Sequence, residues 1–437
     1  MDILMVADLL SKKSTNRIYK QFTETQWFSE SEMETYKTEK LKKLVAHCYK
    51  NVPYYTRIMN ELDIIPSDIK TVADLHRFPI LTKVIIKENY QDFMPINYKH
   101  YPGIKHGQTG GTTGNSLLKR SDALTRSNTW AAYRRFCDWM GVRYNDWNIL
   151  LKGMHVLKPT YMEHIKQKVY ETLRRTIPIN AYLGCDMNAQ SVIGAFEKHN
   201  ISLVRGYSQA IFETAKLLNS LNVSLEARAV STTAEPLFPE YRPIISKAFG
   251  APLFDQYGCG EIGSIAFECN HHEGLHVSEE RVCVEVNEKN EILITDLDNH
   301  VMPFIRYWNG DEIELSKEMC SCGRQTKLIK SIVGRTSDYL YGVNGVNVHW
   351  GYIFHLLWDS KMALRRNFKK FQLVQVSSDE LIFRHVSDEL TPKDMDLIVK
   401  TTIDKLGDMK VRFVREIDIE NSKSGKYRWV ENRLITK

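Results

Sequence analysis

Residues 108–118 read Gln108, Thr109, Gly110, Gly111, Thr112, Thr113, Gly114, Asn115, Ser116, Leu117 and Leu118. Glycine and threonine in alternation have almost no apolar area to bury, so the run does not belong to a core. Its chemistry suits an anion. Glycine lets backbone N–H groups approach a phosphate closely, and threonine hydroxyls add further donors. A flexible polar turn is the plain alternative. No Lys-Ser or Lys-Thr follows Gly114, so the run is not a Walker A loop.

A second group of residues has metal-ligand chemistry. Cys320 and Cys322 form a tight knuckle, and Cys269 is followed by His271, His272 and His276. Three thiolates and one imidazole make a tetrahedral zinc set, and four protein ligands imply a closed, structural site. His276 is preferred because Gly274-Leu275-His276-Val277 leads into a strand. Free thiols are the alternative, since C-x-C is less typical than C-x-x-C and the pairs lie far apart in sequence.

Three further stretches carry chemistry. Gly258-Cys259-Gly260-Glu261-Ile262-Gly263 is a literal G-x-G-x-x-G, but a dinucleotide fingerprint needs a long helix directly after it, and residues 264–272 are too short and too rich in Cys and His. In Pro303-Phe304-Ile305-Arg306-Tyr307-Trp308-Asn309-Gly310-Asp311, a carboxylate at a glycine turn could accept hydrogen bonds from a ribose diol, and Arg306 could pair with a carboxylate or phosphate. An ordinary Gly-Asp turn explains the same residues. Near the end, Lys426 lies in Asn421-Ser422-Lys423-Ser424-Gly425-Lys426-Tyr427-Arg428. Such tails are usually solvated, yet a lysine on a mobile Gly/Ser loop can enter a phosphate site as a point charge.

The elements that must position these residues follow from pattern. Residues 29–62 are expected to be largely helical, with Leu41, Leu44, Val45 and Cys48 on one face and a break at Val52-Pro53. Between residues 121 and 260, strands near 147–151, 201–207, 225–231 and 253–257 alternate with helices near 121–140, 161–174, 189–199, 211–220 and 238–249. That alternation predicts α/β architecture, with parallel sheets covered by helices. Ligands bind beyond the carboxyl ends of such strands, where Thr232, Ala234 and Glu235 fall. Residues 275–315 read as a β-rich subdomain. After a turn at residues 334–338 comes a small α+β domain, giving domains 1–334 and 335–437. Trp130, Tyr133, Phe136, Tyr207 and Phe212 are aromatic candidates for an acid pocket, with core packing as the alternative.

The chain has 437 residues and a net charge of +6, from 59 basic and 53 acidic residues, with no long basic block. That balance permits anionic ligands without arguing for nucleic acid. The first ten residues carry Asp2 and Asp8, so a signal peptide is not expected there. No run approaches the ~18 apolar residues of a membrane span. Eight cysteines are too sparse for a disulfide scaffold, so a cytoplasmic setting is expected. A homodimer is left open.

Taken together, these stretches give the chain, from about residue 40 to its end, a resemblance to the adenylate-forming superfamily of acyl-CoA synthetases and adenylation domains. Within it the chain is most similar to the phenylacetate–CoA ligase-like branch, which includes capsule-biosynthesis proteins. The resemblance implies a large N-terminal domain and a small mobile C-terminal lid. Thr109, Gly110, Gly111, Thr112, Thr113 and Gly114 would hold ATP phosphates, although Asn115-Ser116 stands where members often carry Lys-Pro. Thr232, Ala234 and Glu235 would lie near the adenine and the acyl pocket, Tyr257 would stack on the adenine, Gly258 would bind the nucleotide, Asp311 would bind the ribose, and Glu261 would hold magnesium. Arg335 would sit at the hinge, and Lys426 would act in adenylation. Cys269, His276, Cys320 and Cys322 would bind zinc. The implied activity is ATP-dependent activation of a carboxylic acid, then transfer to a thiol, with coenzyme A the expected acceptor. Transfer to an amine, hydroxyl or carrier in surface polysaccharide biosynthesis is one alternative, and a non-catalytic zinc-stabilised binding protein another.

Overall fold

The computed structural model describes residues 14–108, 117–152, 169, 171–181, 185–335, 339–343, 345, 347–349, 368–387, 390–420 and 429–434. The chain forms two units, Met1–Asn309 with Ile313–Ile332, and Gly310–Glu312 with Val333–Lys437.

The larger unit opens with helices α1 (Thr15–Thr25), α2 (Glu30–Asn51), α3 (Pro53–Glu61) and α4 (Lys83–Glu88). Ser29 and Glu32 exchange hydrogen bonds in a capping box that starts α2. Leu41, Leu44, Val45 and Cys48 are fully buried along it, as their spacing requires. Pro53 then occupies the first turn of α3, where its missing N–H costs nothing.

Strands β1 (Lys105–Gln108) and β2 (Leu118–Ser121) pair antiparallel, with Gln108 opposite Leu118. Helix α5 (Ala123–Trp139) follows, capped by the Asp122 carboxylate. Next come β3 (Trp147–Lys152), β4 (Thr176–Asn180), α6 (Cys185–Lys198), β5 (Ile201–Tyr207), α7 (Ser208–Ser220), β6 (Ala229–Thr233), α8 (Tyr241–Phe249) and β7 (Leu253–Cys259). These five strands are parallel, in the order β4-β3-β5-β6-β7. Helices cover both faces, so Ile201 to Val204 are all buried. The helix expected near residues 161–174 lies largely outside the described residues.

Strands β8 (Gly263–Glu268), β9 (Leu275–Val277), β10 (Val282–Val286), β11 (Glu291–Asp296), β12 (Tyr307–Leu315) and β13 (Leu328–Arg335) complete the unit. The β-rich region is not a separate sheet. All eleven strands form one sheet, in the order β10-β11-β12-β13-β9-β8-β7-β6-β5-β3-β4. Its parallel half becomes antiparallel where β7 turns back into β8. Two further expectations shift. The strand expected at 225–231 lies at 229–233, because the N–H groups of Leu225 and Ala227 bond instead to the Ala248 and Phe249 carbonyls ending α8. Gly334 and Arg335 end strand β13 and do not form a turn.

Buried charges tie the N-terminal helices to the sheet. The Arg281 guanidinium donates from Nε to Asp298 Oδ2 at 3.0 Å, and Lys40 Nζ reaches Asp298 Oδ1 at 2.6 Å. Arg135 pairs with Glu280. Buried guanidinium groups of this kind persist only when paired.

In the smaller unit, β14 (Tyr339–Tyr341) pairs with β15 (Asn347–His349), and β16 (Phe368–Gln375), β17 (Glu380–Ser387), β18 (Lys410–Arg415) and β19 (Val430–Asn432) form a four-stranded sheet. Helix α9 (Pro392–Leu406) begins with a Thr391/Asp394 capping box. No helix among the described residues is long and apolar enough to cross a membrane.

Candidate active site and metal centre

The carboxyl ends of β6 and β7 carry the first group of residues. Thr232 is fully buried on β6, and its hydroxyl donates to Asp255 Oδ1 on β7 at 2.8 Å. Burial pushes the Asp255 carboxyl up to about 7, against that hydrogen bond. Ala234, just past β6, has φ of 69°, a left-handed conformation unusual for a residue with a β-carbon. Glu235 turns back onto helix α7. Its carboxylate accepts from the Gln209 backbone N–H at 3.0 Å, and its carbonyl accepts from the Ser208 hydroxyl. A carboxylate at a helix N-terminus is favourably placed against the unsatisfied N–H groups there.

The G-x-G-x-x-G stretch is a β7–β8 hairpin. Gly258 and Cys259 face Ser264 and Gly263 across the ladder. A β-carbon at Gly258 would stand 2.3 Å from the Gly263 carbonyl oxygen, so glycine is needed for the two backbones to approach. A strand follows where a dinucleotide fingerprint requires a helix, which removes that reading. Tyr257 is buried, and its hydroxyl accepts from Asn309 Nδ2 at 2.8 Å.

Glu261 occupies the hairpin tip. It is mostly buried, and its carboxylate meets Lys83 Nζ at 2.9 Å. Lys119, on β2, lies close enough for Glu261 and Cys259 to attract its ammonium, although burial holds its pKa below the usual lysine value. The tip therefore gathers one carboxylate and two ammonium groups beside the strand that leaves the glycine–threonine run.

Asp311 is buried on β12. Arg306, at φ of 53°, spends its guanidinium within the fold, donating to Glu285 Oε1 at 3.1 Å and to the Phe78 carbonyl at 2.7 Å. Arg335 is the last residue of β13. Residues 109–114 and Lys426 lie outside the described residues. Among the aromatic candidates, Phe136 and Phe212 are core, with Phe212 stacked on Tyr241 at 3.8 Å.

Cys269, His276, Cys320 and Cys322 converge at the other end of β8, their ligand atoms all within 4.8 Å of one another. Cys269 follows β8, and His276 sits on β9 opposite Phe267 of β8 and Leu328 of β13. Cys320 and Cys322 come from the loop between β12 and β13. Cys269 Sγ and Cys320 Sγ are 3.6 Å apart, and Cys322 Sγ lies 3.4 Å from His276 Nε2. A tetrahedral ion with metal–sulfur bonds of ~2.3 Å has edges of ~3.5–3.8 Å, so the donor set fits a metal of zinc's size. His276 Nδ1 meets Thr326 Oγ1 at 3.0 Å, leaving Nε2 facing the thiols. Burial and the nearby Arg324 push the imidazole down to about 4, keeping it in the neutral, ligating form. The His271 ring meets Ser321 and the His272 ring Glu268, so neither imidazole joins the four converging donors, although the His271 backbone N–H donates to Cys269 Sγ at 3.4 Å.

No family model matches the chain. Over 334 residues it is 25% identical to a phenylacetate-coenzyme A ligase of Thermus thermophilus, covering 71% of this chain and 72% of that one. Protein CapK of Staphylococcus aureus is 27% identical over 315 residues, covering 69% and 68%. A phenylacetate-coenzyme A ligase of Escherichia coli is 24% identical over 350 residues, covering 73% and 75%. These similarities run to the phenylacetate–CoA ligase-like branch of the adenylate-forming superfamily. The fold of the chain is that of a solved 2-hydroxyisobutyryl-CoA ligase in the postadenylation state, in complex with 2-HIB-AMP. The TM-score is 0.72 at 17% identity, over 94% of this chain and 92% of that one.

Two residues at the candidate site escape sequence reasoning. Lys83 reaches Glu261 from a short helix far upstream, and nothing marks it among 59 basic residues. Lys119 carries a weak signal: it follows the glycine–threonine run within a few residues, and β2 returns it toward the hairpin tip.

Proposed function

We propose that the chain joins a carboxylic acid to ATP and then passes the acyl group to the thiol of coenzyme A. In the first step a carboxylate oxygen bonds to the α-phosphorus, and the bond to pyrophosphate breaks. In the second the thiol attacks the acyl carbonyl, its proton is lost, and AMP leaves. Neither step needs a protein nucleophile, so catalysis rests on orientation and charge stabilisation. The glycine–threonine run, residues 109–114, binds the phosphates. Thr232, Ala234, Glu235, Tyr257 and Gly258 border the adenine, and Asp311 binds the ribose. Lys426 neutralises charge in the first step, and Arg335 lies at the hinge of the 335–437 lid.

The observation that carries this reading is the cluster at the β7–β8 tip. Glu261 holds a buried carboxylate against Lys83 and near enough to attract Lys119, on the strand leaving the proposed phosphate loop. One carboxylate beside substrate phosphates is a usual setting for Mg²⁺, which when bound would offset charge on the phosphoryl oxygens. Lys119 supplies a fixed positive charge to the same region. At the far end of β8, Cys269, His276, Cys320 and Cys322 hold structural Zn²⁺.

The test is ATP–pyrophosphate exchange across a panel of aryl, fatty and amino acids, followed by thioester formation with coenzyme A. Exchange with at least one acid, and AMP release coupled to thioester, is expected. Silence across the panel with folded, metal-replete protein would remove the activity.

A further inference from the structure

Trp130 and Tyr133 do line a cleft, but not at the carboxyl ends of the strands. It opens at the opposite, amino end, between α5 and the starts of β3, β4 and β5. Its walls are Trp130, Tyr133 and Cys137 of α5, Arg143, Tyr144 and Asp146 of the following loop, and Asn148, Arg174, Thr176, Leu203 and Arg205. The space between these walls, open solvent at the mouth included, is about 330 Å³, so the cleft is shallow and open and not an enclosed cavity.

Two polar groups in it are incompletely satisfied. Tyr133 is 7% exposed, and its hydroxyl has no hydrogen-bond partner. Leaving such a group buried and unpaired is unfavourable. Arg205 is half-buried on β5. It donates from Nε to Asn148 Oδ1 at 3.1 Å, lies over the Tyr133 ring at 5.2 Å, and meets no carboxylate among the described residues. The deeply buried Arg135 and Arg281, by contrast, are each answered by a carboxylate. Arg174 adds a second guanidinium, held between the Trp130 and Tyr144 rings at 4.8 and 5.0 Å. Exposed Arg143 stands at the mouth. Asp146 is the one acid, and its carboxylate caps the Arg143 N–H at 3.1 Å.

We propose that this cleft binds a phosphate-type oxyanion, either inorganic phosphate or a phosphate monoester, at a site separate from the nucleotide. Three guanidinium groups and one carboxylate line the cleft, and Arg205, which meets no carboxylate among the described residues, is the charge an oxyanion would answer. The guanidinium fork matches phosphate oxygens, and the aromatic rings flanking Arg174 fix its plane. The Tyr133 hydroxyl gains the acceptor it lacks. The cleft touches none of the residues assigned to adenylation, so its occupancy stands or falls independently of that activity.

Calorimetric titration of the full chain tests this, with inorganic phosphate, phenyl phosphate and benzoate as separate probes. Saturable binding of one of the two phosphates is expected, weakened about tenfold or more by Arg205→Gln and less by Tyr133→Phe, which keeps the ring. ATP–pyrophosphate exchange should be unchanged in both variants. Tighter binding of phenyl phosphate assigns a monoester, and equal binding assigns the free ion. The proposal is overturned if no phosphate binds saturably up to millimolar concentrations. It is also overturned if benzoate alone binds, or if Tyr133→Phe and Arg205→Gln both leave phosphate affinity unchanged.

Discussion

The six residues of β8 separate two sites of opposite character. At its end, Cys269 joins a closed set in which every donor faces another and Thr326 orients the imidazole. At its start, Glu261 meets Lys83, whose side chain is 31% exposed and can be replaced by a competing cation. The closed cluster has no place for a substrate, because its four ligand atoms already complete a tetrahedron. The open one pairs charges that an incoming phosphate or metal ion can re-partner. One stretch of backbone thus joins a metal-type donor set to the proposed reaction site.

Substitutions at the two ends should separate into different observables. At the open end, Glu261→Ala should lower ATP–pyrophosphate exchange by roughly 10²–10³-fold, with the melting temperature nearly unchanged. Lys426→Ala should do the same, and undiminished exchange in that variant would remove its assignment. At the closed end, Cys320→Ser or prolonged chelation should lower unfolding free energy by on the order of 3 kcal/mol or more. The protein that stays folded should keep its turnover. A loss of turnover without loss of stability there would erase the contrast.

Asp255 lies between the two ends in kind. Its carboxyl titrates at about 7 in the folded chain, because burial favours the neutral form, against ~3.9 when unfolded. The folded state therefore binds the extra proton, and stability from this group falls as pH rises from about 4 to 7. Asp255→Asn should flatten the melting temperature over that window and stabilise the protein above it. The smallest effect is expected from Lys83→Ala. Removing a half-exposed ammonium beside Glu261 should tighten apparent Mg²⁺ dependence by about two- to fivefold.

How far such contrasts are legible in sequence depends on their range. The metal donors are readable because cysteine and histidine are rare and their chemistry is narrow; His276 stands out from His271 and His272 through the strand it begins. Helix α2 is readable through the spacing of Leu41, Leu44, Val45 and Cys48. The single eleven-stranded sheet is not, because strand adjacency depends on pairings distant in sequence. Residues 225–228 mislead for the same reason: a strand-like pattern is captured by the end of α8, more than twenty residues downstream. Lys83 is invisible because one lysine looks like another until the chain folds it against Glu261.

The turn that presents Glu261 also limits how this chain can vary. Any side chain at Gly258 would collide with the Gly263 carbonyl 2.3 Å away and part the two strands. Saturation mutagenesis should find that position intolerant even to alanine, although it contributes no functional group of its own. Lineages are then free to exchange residues around the turn while retaining a position occupied by a hydrogen atom.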